Sequence, residues 1–282
     1  MTSVRMKKTT RYQKSFNTLL MLAIGVLFLL PLLWMISSSL KTSSEIAAKG
    51  FHWLPVSPRW ENYAAIWIGD KVSMMRGYQN SGFITLMSIP VGLLLASMAA
   101  YAFAKVPFRG KNFTFILLLS TMMIPSEVTL IPRFMLFHKI GLYNSLWAII
   151  LPHWFAPGCI FLLRQFYKTL PDELMEAAKI DGASHIRIFL QIMLPLTKPA
   201  LISQCVLMFV SCWNDYLSPL IFLVKKKLYT VSQVIQWTML DDVSRFDLMM
   251  TASTLAIVPV FILFFCAQRY FIEGIATSGL KG

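Results

Sequence analysis

The apolar positions of this chain fall into long, nearly uninterrupted runs separated by short polar gaps. About 20 apolar residues let an α-helix cross a hydrocarbon core roughly 30 Å thick. Six runs reach that length, at 16–38, 81–104, 113–134, 143–164, 200–222 and 248–269. They predict an all-α integral membrane protein with six transmembrane helices, a single domain over residues 1–282. Pro90, Pro125, Pro132, Pro152, Pro157, Pro219 and Pro259 are expected to interrupt five of these spans. Such breaks are tolerated where the freed carbonyls face protein or a water-filled cavity, as a moving pathway requires.

Composition narrows the class. Of 282 residues 56% are hydrophobic and 14% charged, against about 25% charged in soluble proteins, which all but excludes a soluble enzyme. The net charge of +13 would raise nucleic acid as a partner in a soluble chain. Here the charges sit between apolar runs, so topology accounts for them and no nucleic-acid partner is expected. The first span follows Arg5, Lys7, Lys8, Arg11 and Lys14, but it is too long for a signal-peptide core and is read as a retained helix. With the N-terminus in the cytoplasm, segments 1–15, 105–112, 164–199 and 269–282 hold 15 Lys/Arg and 5 acids, and the outer remainder 11 and 8. The positive-inside rule therefore puts both termini in the cytoplasm. The outer loop from Lys41, with Trp53, Trp60 and Tyr63, suits either a folded cap over the bundle or a surface that receives another protein.

Between the fourth and fifth spans the chain spends about 35 residues, 166–199, on the predicted inner side. Thr169 reads as an N-cap, Pro171 falls in the first turn, and Asp172 and Glu173 complement the positive helix end. A helix over 171–179 would present Leu174, Ala177 and Ala178 on one face. Ile180-Asp181-Gly182 makes a turn, and Ser184 caps a second helix ending at Pro195. The expectation is a helix-turn-helix elbow outside the membrane.

The elbow resembles a known family. Glu176-Ala177-Ala178, Gly182 after three intervening residues, and Ile192-x-Leu194-Pro195 after nine more match the E-A-A-x3-G-x9-I-x-L-P loop of binding-protein-dependent ABC importer permeases at every defined position. Ser39-Leu40-Lys41 with Glu61-Asn62-Tyr63, Ala99 to Ala104, Met123-Ile124-Pro125 with Leu130-Ile131-Pro132, Phe161 to Phe166, Trp213-Asn214-Asp215 and Gln268 to Phe271 resemble the carbohydrate branch, the maltose-permease type. The tail, Ile275 to Gly282, departs from the G-A-V-K-G common in that family.

The resemblance implies a type I importer permease fold in the bacterial cytoplasmic membrane. It also implies a second homologous permease, two ATPase subunits carrying ATP and Mg, and an external solute-binding protein. No cofactor and no catalytic role are expected on this chain, which contacts membrane lipid and serves uptake of a sugar or oligosaccharide. Related permeases carry glycerol-phosphate-type substrates, which leaves polyol uptake as an alternative. In the family the first elbow helix seats on the ATPase. This assigns close contact to Ala177 and Ala178, a charge for pairing to Glu176, and the turn to Gly182 with its neighbours Asp181 and Ala183.

Ionisable residues inside spans are functional candidates by default. Counted along straight helices, Glu127 and Asp215 both stand about 22 Å from the inner surface. They are candidates for an outward vestibule, with Trp213 and Asn214 beside Asp215 as a structural hydrogen-bond network. Aromatic residues of the fourth span read mainly as packing, and His153 has no partner at metal-ligand spacing. There is no glycine-rich phosphate loop and no nucleophile-plus-base motif. A secondary transporter would show inverted repeats, which are absent between the halves. An intramembrane enzyme would have only Glu127 and Asp215 to work with.

Overall fold

The computed structural model describes residues 11–48, 50, 52–69, 71–241 and 245–279, and side chains within 15–268 of these except Asp241. The basic cluster at Arg5 to Lys14, Phe51, the Gln268 to Phe271 match beyond its first residue, and the divergent tail therefore lie wholly or in their side chains outside the described residues. The described chain is helical throughout its ordered elements. In order these are α1 (Arg11–Ser39), α2 (Ser43–Ala47), α3 (Glu61–Trp67), α4 (Met74–Lys105), α5 (Lys111–Thr121) and α6 (Ser126–Lys139). Next come α7 (Trp147–His153), α8 (Pro157–Thr169), α9 (Glu173–Ile180), α10 (His185–Ile188), a π-turn (Phe189–Met193) and α11 (Leu194–Leu196). The chain continues through α12 (Lys198–Asn214), α13 (Leu217–Phe222), a 3-10 turn (Lys226–Leu228), α14 (Val231–Asp241) and α15 (Phe246–Gly279). Four helical stretches are long and apolar enough to cross a membrane, and six if each sharply bent pair is one span.

Sequence chemistry explains where the spans break. The stretch 113–134, expected as one helix, is α5 and α6 bent by 92°. Met122, Met123 and Ile124 close with bonds to carbonyls three residues back, and Pro125, lacking an N–H, stops the ladder. The fourth span parts ahead of Pro157, and the fifth parts at Asp215-Tyr216, between α12 and α13. Pro90 and Pro259, by contrast, lie inside unbroken helices. α4 begins at Met74, earlier than hydropathy suggested, because Ser73 caps it by accepting Arg76 N at 3.4 Å.

α4 packs centrally, against α7, α8, α12 and α14. At one end it shares an apolar core with α8 and the elbow, through Ala96, Ala100, Leu163, Met175, Ile188 and Met193. At the other end two smaller cores form, one around Ile84, Phe137, Ile149 and Phe222, the other around Met74, Trp213, Val234 and Ala252. Midway, α4 comes so close to the α7–α8 break that a Cβ on Gly92 would lie 2.7 Å from the His153 carbonyl oxygen.

The described residues within 40–73 pack over the end opposite the elbow. Buried Asn62 donates to the carbonyls of Ser39 at 2.9 Å and Lys41 at 3.1 Å. Thr251 Oγ1 donates to the same Ser39 carbonyl at 3.0 Å, Ser43 Oγ to Asp247 at 2.7 Å, and Lys41 Nζ to the His52 carbonyl. The Thr251 bond joins α1 to α15 directly, and the others tie α2, α3 and the loop to them.

Gly92→Ala should lower the detergent melting temperature, since the added carbon meets backbone and overpacking costs about 1–3 kcal/mol. Gly25→Ala, whose added carbon meets nothing within 4 Å, should not. A thermal scan of both variants checks the close crossing.

Candidate functional site

Two regions concentrate the polar chemistry, the elbow at one end of the bundle and a cleft farther along it. The first is the elbow, 170–197. Its first helix starts at Glu173, later than the sequence suggested, and Thr169 is not its cap. Thr169 ends α8 and donates to Phe166 O at 2.8 Å. The physical reason is Pro171, which holds Leu170 extended at φ −75°, ψ 139°. Lys105, from the end of α4, then grips the joint: its Nζ donates to Leu170 O and to Asp172 Oδ1, both at 2.6 Å. The ammonium holds the exposed Asp172 carboxyl below the usual range, first through the hydrogen bond and then through its charge.

The turn follows the expected chemistry. Gly182 adopts φ +77°, which other residues reach at a cost of about 1–2 kcal/mol. It donates to Lys179 O at 3.0 Å, and Ala183 N donates to Ala178 O at 2.9 Å, a closed C-cap. Ser184 then accepts Arg187 N at 3.4 Å. The second helix runs through a π-turn and past Pro195 to Leu196, where the chain bends by 77° into α12.

The faces divide differently from the expectation for Leu174, Ala177 and Ala178. Met175 and Ala178 are buried against α4 and α8, with Ala183, Ile192 and Leu194 packed around them. Leu174, Glu176, Ala177, Asp181, Gly182 and Pro195 point outward. Ile180 is 86% and Ile186 71% exposed, so the outward face is apolar as well as charged.

The second region is a cleft of about 460 Å³ at the breaks in three spans. Glu127, Asp215, Arg133 and His153 line it, with Ser126, Ser211 and Ser218. α5 ends after 11 residues, about 16 Å along, and Glu127 follows the bend, so the height counted along one straight helix does not apply to it. The bend and the parting at Asp215 nonetheless bring both carboxylates to one cavity. Asp215 Oδ1 accepts Ser218 N at 3.1 Å, closing the gap before α13. Arg133 Nη2 donates to Ser218 Oγ at 3.4 Å, its guanidinium lies over Phe222 at 5.1 Å, and its buried Nε has no hydrogen-bond partner.

Trp213 and Asn214 do not line the cleft. Trp213 is buried, donates to Ala256 O at 2.9 Å and stacks on Phe209 at 5.5 Å, holding α12 against α15. Asn214 is exposed. In the fourth span Trp154 packs, donating to Met87 O at 3.0 Å, while Phe155 lines the cleft.

Residues 88–277 match the family of binding-protein-dependent transport system inner membrane components, a stretch that holds the whole elbow and cleft. This chain belongs to that family. The arabinooligosaccharides transport system permease protein AraQ of Halalkalibacterium halodurans is 36% identical over 270 residues, 93% of this chain and 96% of its own. The sn-glycerol-3-phosphate transport system permease protein UgpE of Pectobacterium atrosepticum is 31% identical over 265 residues, 92% and 94% of the two chains. A chain from the crystal structure of a bacterial ABC transporter involved in alginate import shares the fold, with a TM-score of 0.79 and 23% identity over 93% of this chain and 99% of its own.

In this inner membrane component, sequence reasoning overlooked Arg133, Lys105, Tyr101 and His185. Arg133 follows the motif proline Pro132 inside an apolar run, and an arginine there is itself the signal. The Tyr101–His185 contact spans 84 positions and left no local trace.

Asp215→Ala should cost about 1 kcal/mol, the usual worth of a side-chain cap, whereas Asp215→Asn keeps an acceptor for Ser218 N and should lose less. Thermal melts of the two variants check that the residue closes the α12–α13 gap.

Proposed function

We propose that this chain is one of two permease subunits of an ATP-driven importer of neutral oligosaccharides. A homologous permease completes the pathway, two ATPase subunits supply hydrolysis, and an external solute-binding protein delivers substrate. Both termini and the elbow lie in the cytoplasm, and the cleft opens toward the outer side. The observation that carries this reading is the division of the elbow. Glu176, Ala177 and Ile186 are exposed for a partner, while Met175, Ala178, Ile188 and Met193 are fixed in the core of the bundle. A surface that is free on one side and rigidly seated on the other can pass a displacement inward, which a loose loop would absorb.

The relatives' names support a carbohydrate or a glycerol phosphate. The cleft favours the former. Its lining offers two carboxylates, one guanidinium and three serine hydroxyls, a set suited to sugar hydroxyls and without the positive excess that would draw a phosphate. ATP chemistry belongs to the partner chains, and closure of the ATPase pair, transmitted through 173–196, opens the permeases outward.

Glu176→Lys should leave the protein in the membrane at normal levels and abolish uptake. Affinity purification from the native membrane should recover an ATPase, a second permease and a binding protein, and the binding protein should take neutral oligosaccharides in preference to glycerol phosphate. Retained uptake in the Glu176 variant, or an active chain purified alone, would overturn the proposal.

A further inference from the structure

The cytoplasmic half of α4 carries three polar residues four positions apart, Ser97, Tyr101 and Lys105, which place one side chain per turn along a single stripe. Each holds a different part of the chain leading into the elbow. Ser97 Oγ meets Tyr167 OH at 2.8 Å in the last turn of α8, both groups fully buried. Tyr101 OH meets His185 Nδ1, at the start of α10, at 3.2 Å, and Met175 Sδ, in α9, at 3.7 Å. Lys105 Nζ closes the series on Leu170 O and Asp172 Oδ1. Beside them Ala96 and Ala100 are buried in the same core, where α8 packs on α4. No other described helix bonds by its side chains to both halves of the elbow.

The same helix reaches the cleft. About 20 Å above Lys105 along the rise of α4 lies Gly92, packed on the backbone of His153 and Trp154, and His153 lines the cleft. Two residues further, Pro90 cannot donate to the carbonyl four residues back, which leaves the helix easier to bend there.

We infer that α4 is the rod that carries displacement of the elbow to the cleft, with Ser97, Tyr101 and Lys105 as the positioning residues that fasten it. The inference rests on the coupling role proposed above for the elbow. The energetics of Lys105 distinguish fastening from simple stabilisation. Asp172 is 71% exposed and Lys105 only 4%, but the Lys105 ammonium also donates to the Leu170 carbonyl, so removing the carboxylate does not leave a buried charge without an acceptor. A transport defect on removing that carboxylate would therefore reflect geometry and not unfolding.

The test uses the purified complex of this chain with its partner subunits in proteoliposomes and needs no transported substrate. A Ser211→Cys reporter in the cleft is labelled with a membrane-impermeant maleimide, over the background of the native cysteines, with and without ATP plus vanadate, and ATP hydrolysis is measured in parallel. With the natural elbow, ATP should change the labelling rate at least about fivefold, the scale of an ordinary coupling free energy. Asp172→Asn, Lys105→Met and Tyr101→Phe should each keep hydrolysis and lose most of that change, and Lys105→Asp with Asp172→Lys should recover part of it. If Lys105→Met fails to assemble, Asp172→Asn and Tyr101→Phe decide. A full ATP response in those variants, beside a lost response in Glu176→Lys, would overturn the rod while leaving the elbow's coupling role standing. A full response in Glu176→Lys, or none in the parent, would overturn the coupling reading itself.

Discussion

The arrangement depends on one apolar core, in which α4, α8 and both halves of the elbow share side chains. Met175 and Ala178 from α9 and Ile188, Phe189 and Met193 from the second helix are buried with Ala100, Tyr101, Leu163 and Tyr167. An eight-residue helix such as α9 is too short to be stable by itself. Burial of its inner face makes it a fixed feature, and fixing the inner face is what leaves Glu176 and Ala177 presented at a defined position. Tyr101 joins the apolar and polar parts of this assembly. Its ring packs against Phe189 at 5.4 Å and Tyr167 at 5.9 Å, and its hydroxyl reaches His185.

The cleft arises from the opposite condition, helices that stop short. A straight helix through 113–134 would carry Glu127 and Arg133 up its own side with its backbone bonds complete. The bend after Thr121 instead sets α6 across the bundle and brings Arg133 to Ser218 and Phe222. The parting at Asp215 does the same for α13. Each break leaves polar backbone near membrane depth, which is tolerated only where protein or water takes up the bonds. Asp215 shows how: its carboxylate accepts the Ser218 N–H. At the α12–α13 break a charged group of the cleft thus also takes up a freed backbone bond.

Much of this was legible in the sequence where the signal is local. Gly182 marks the turn because a residue without a Cβ accepts its positive φ cheaply, and Ser184 a cap because its hydroxyl lies within reach of its own helix. The long apolar runs mark where the apolar helices lie, four of them long enough to cross a membrane, or six if each sharply bent pair is one span. The errors came from distant partners. Thr169 looked like a cap until Pro171 is seen to hold Leu170 extended and Lys105, 67 positions earlier, to take the joint. Ala178 was grouped with Ala177 because both are small, but neighbouring residues on a helix point about 100° apart, and the core of α4 and α8 selects one of them. The family-like run Trp213-Asn214-Asp215 suggests one unit, although the break between α12 and α13 sends Trp213 to α15 and Asp215 to the cleft.

The position of α1 follows from a further constraint. Its apolar span is wholly unburied within the chain, and in a bilayer apolar surface alone gives no net attraction between helices, because lipid tails satisfy it equally well. α1 packs along α15, and polar bonds tie its capped end. The Ser39 carbonyl accepts from both Asn62 and Thr251, while Ser43 reaches Asp247. These groups are paired inside the cap, so this end of α1 is fixed. The bundle is in this way divided by function. One end is locked to the elbow by one core, the opposite end is tied to α1 by hydrogen bonds, and α4, with Pro90 between two contact zones, runs from one to the other.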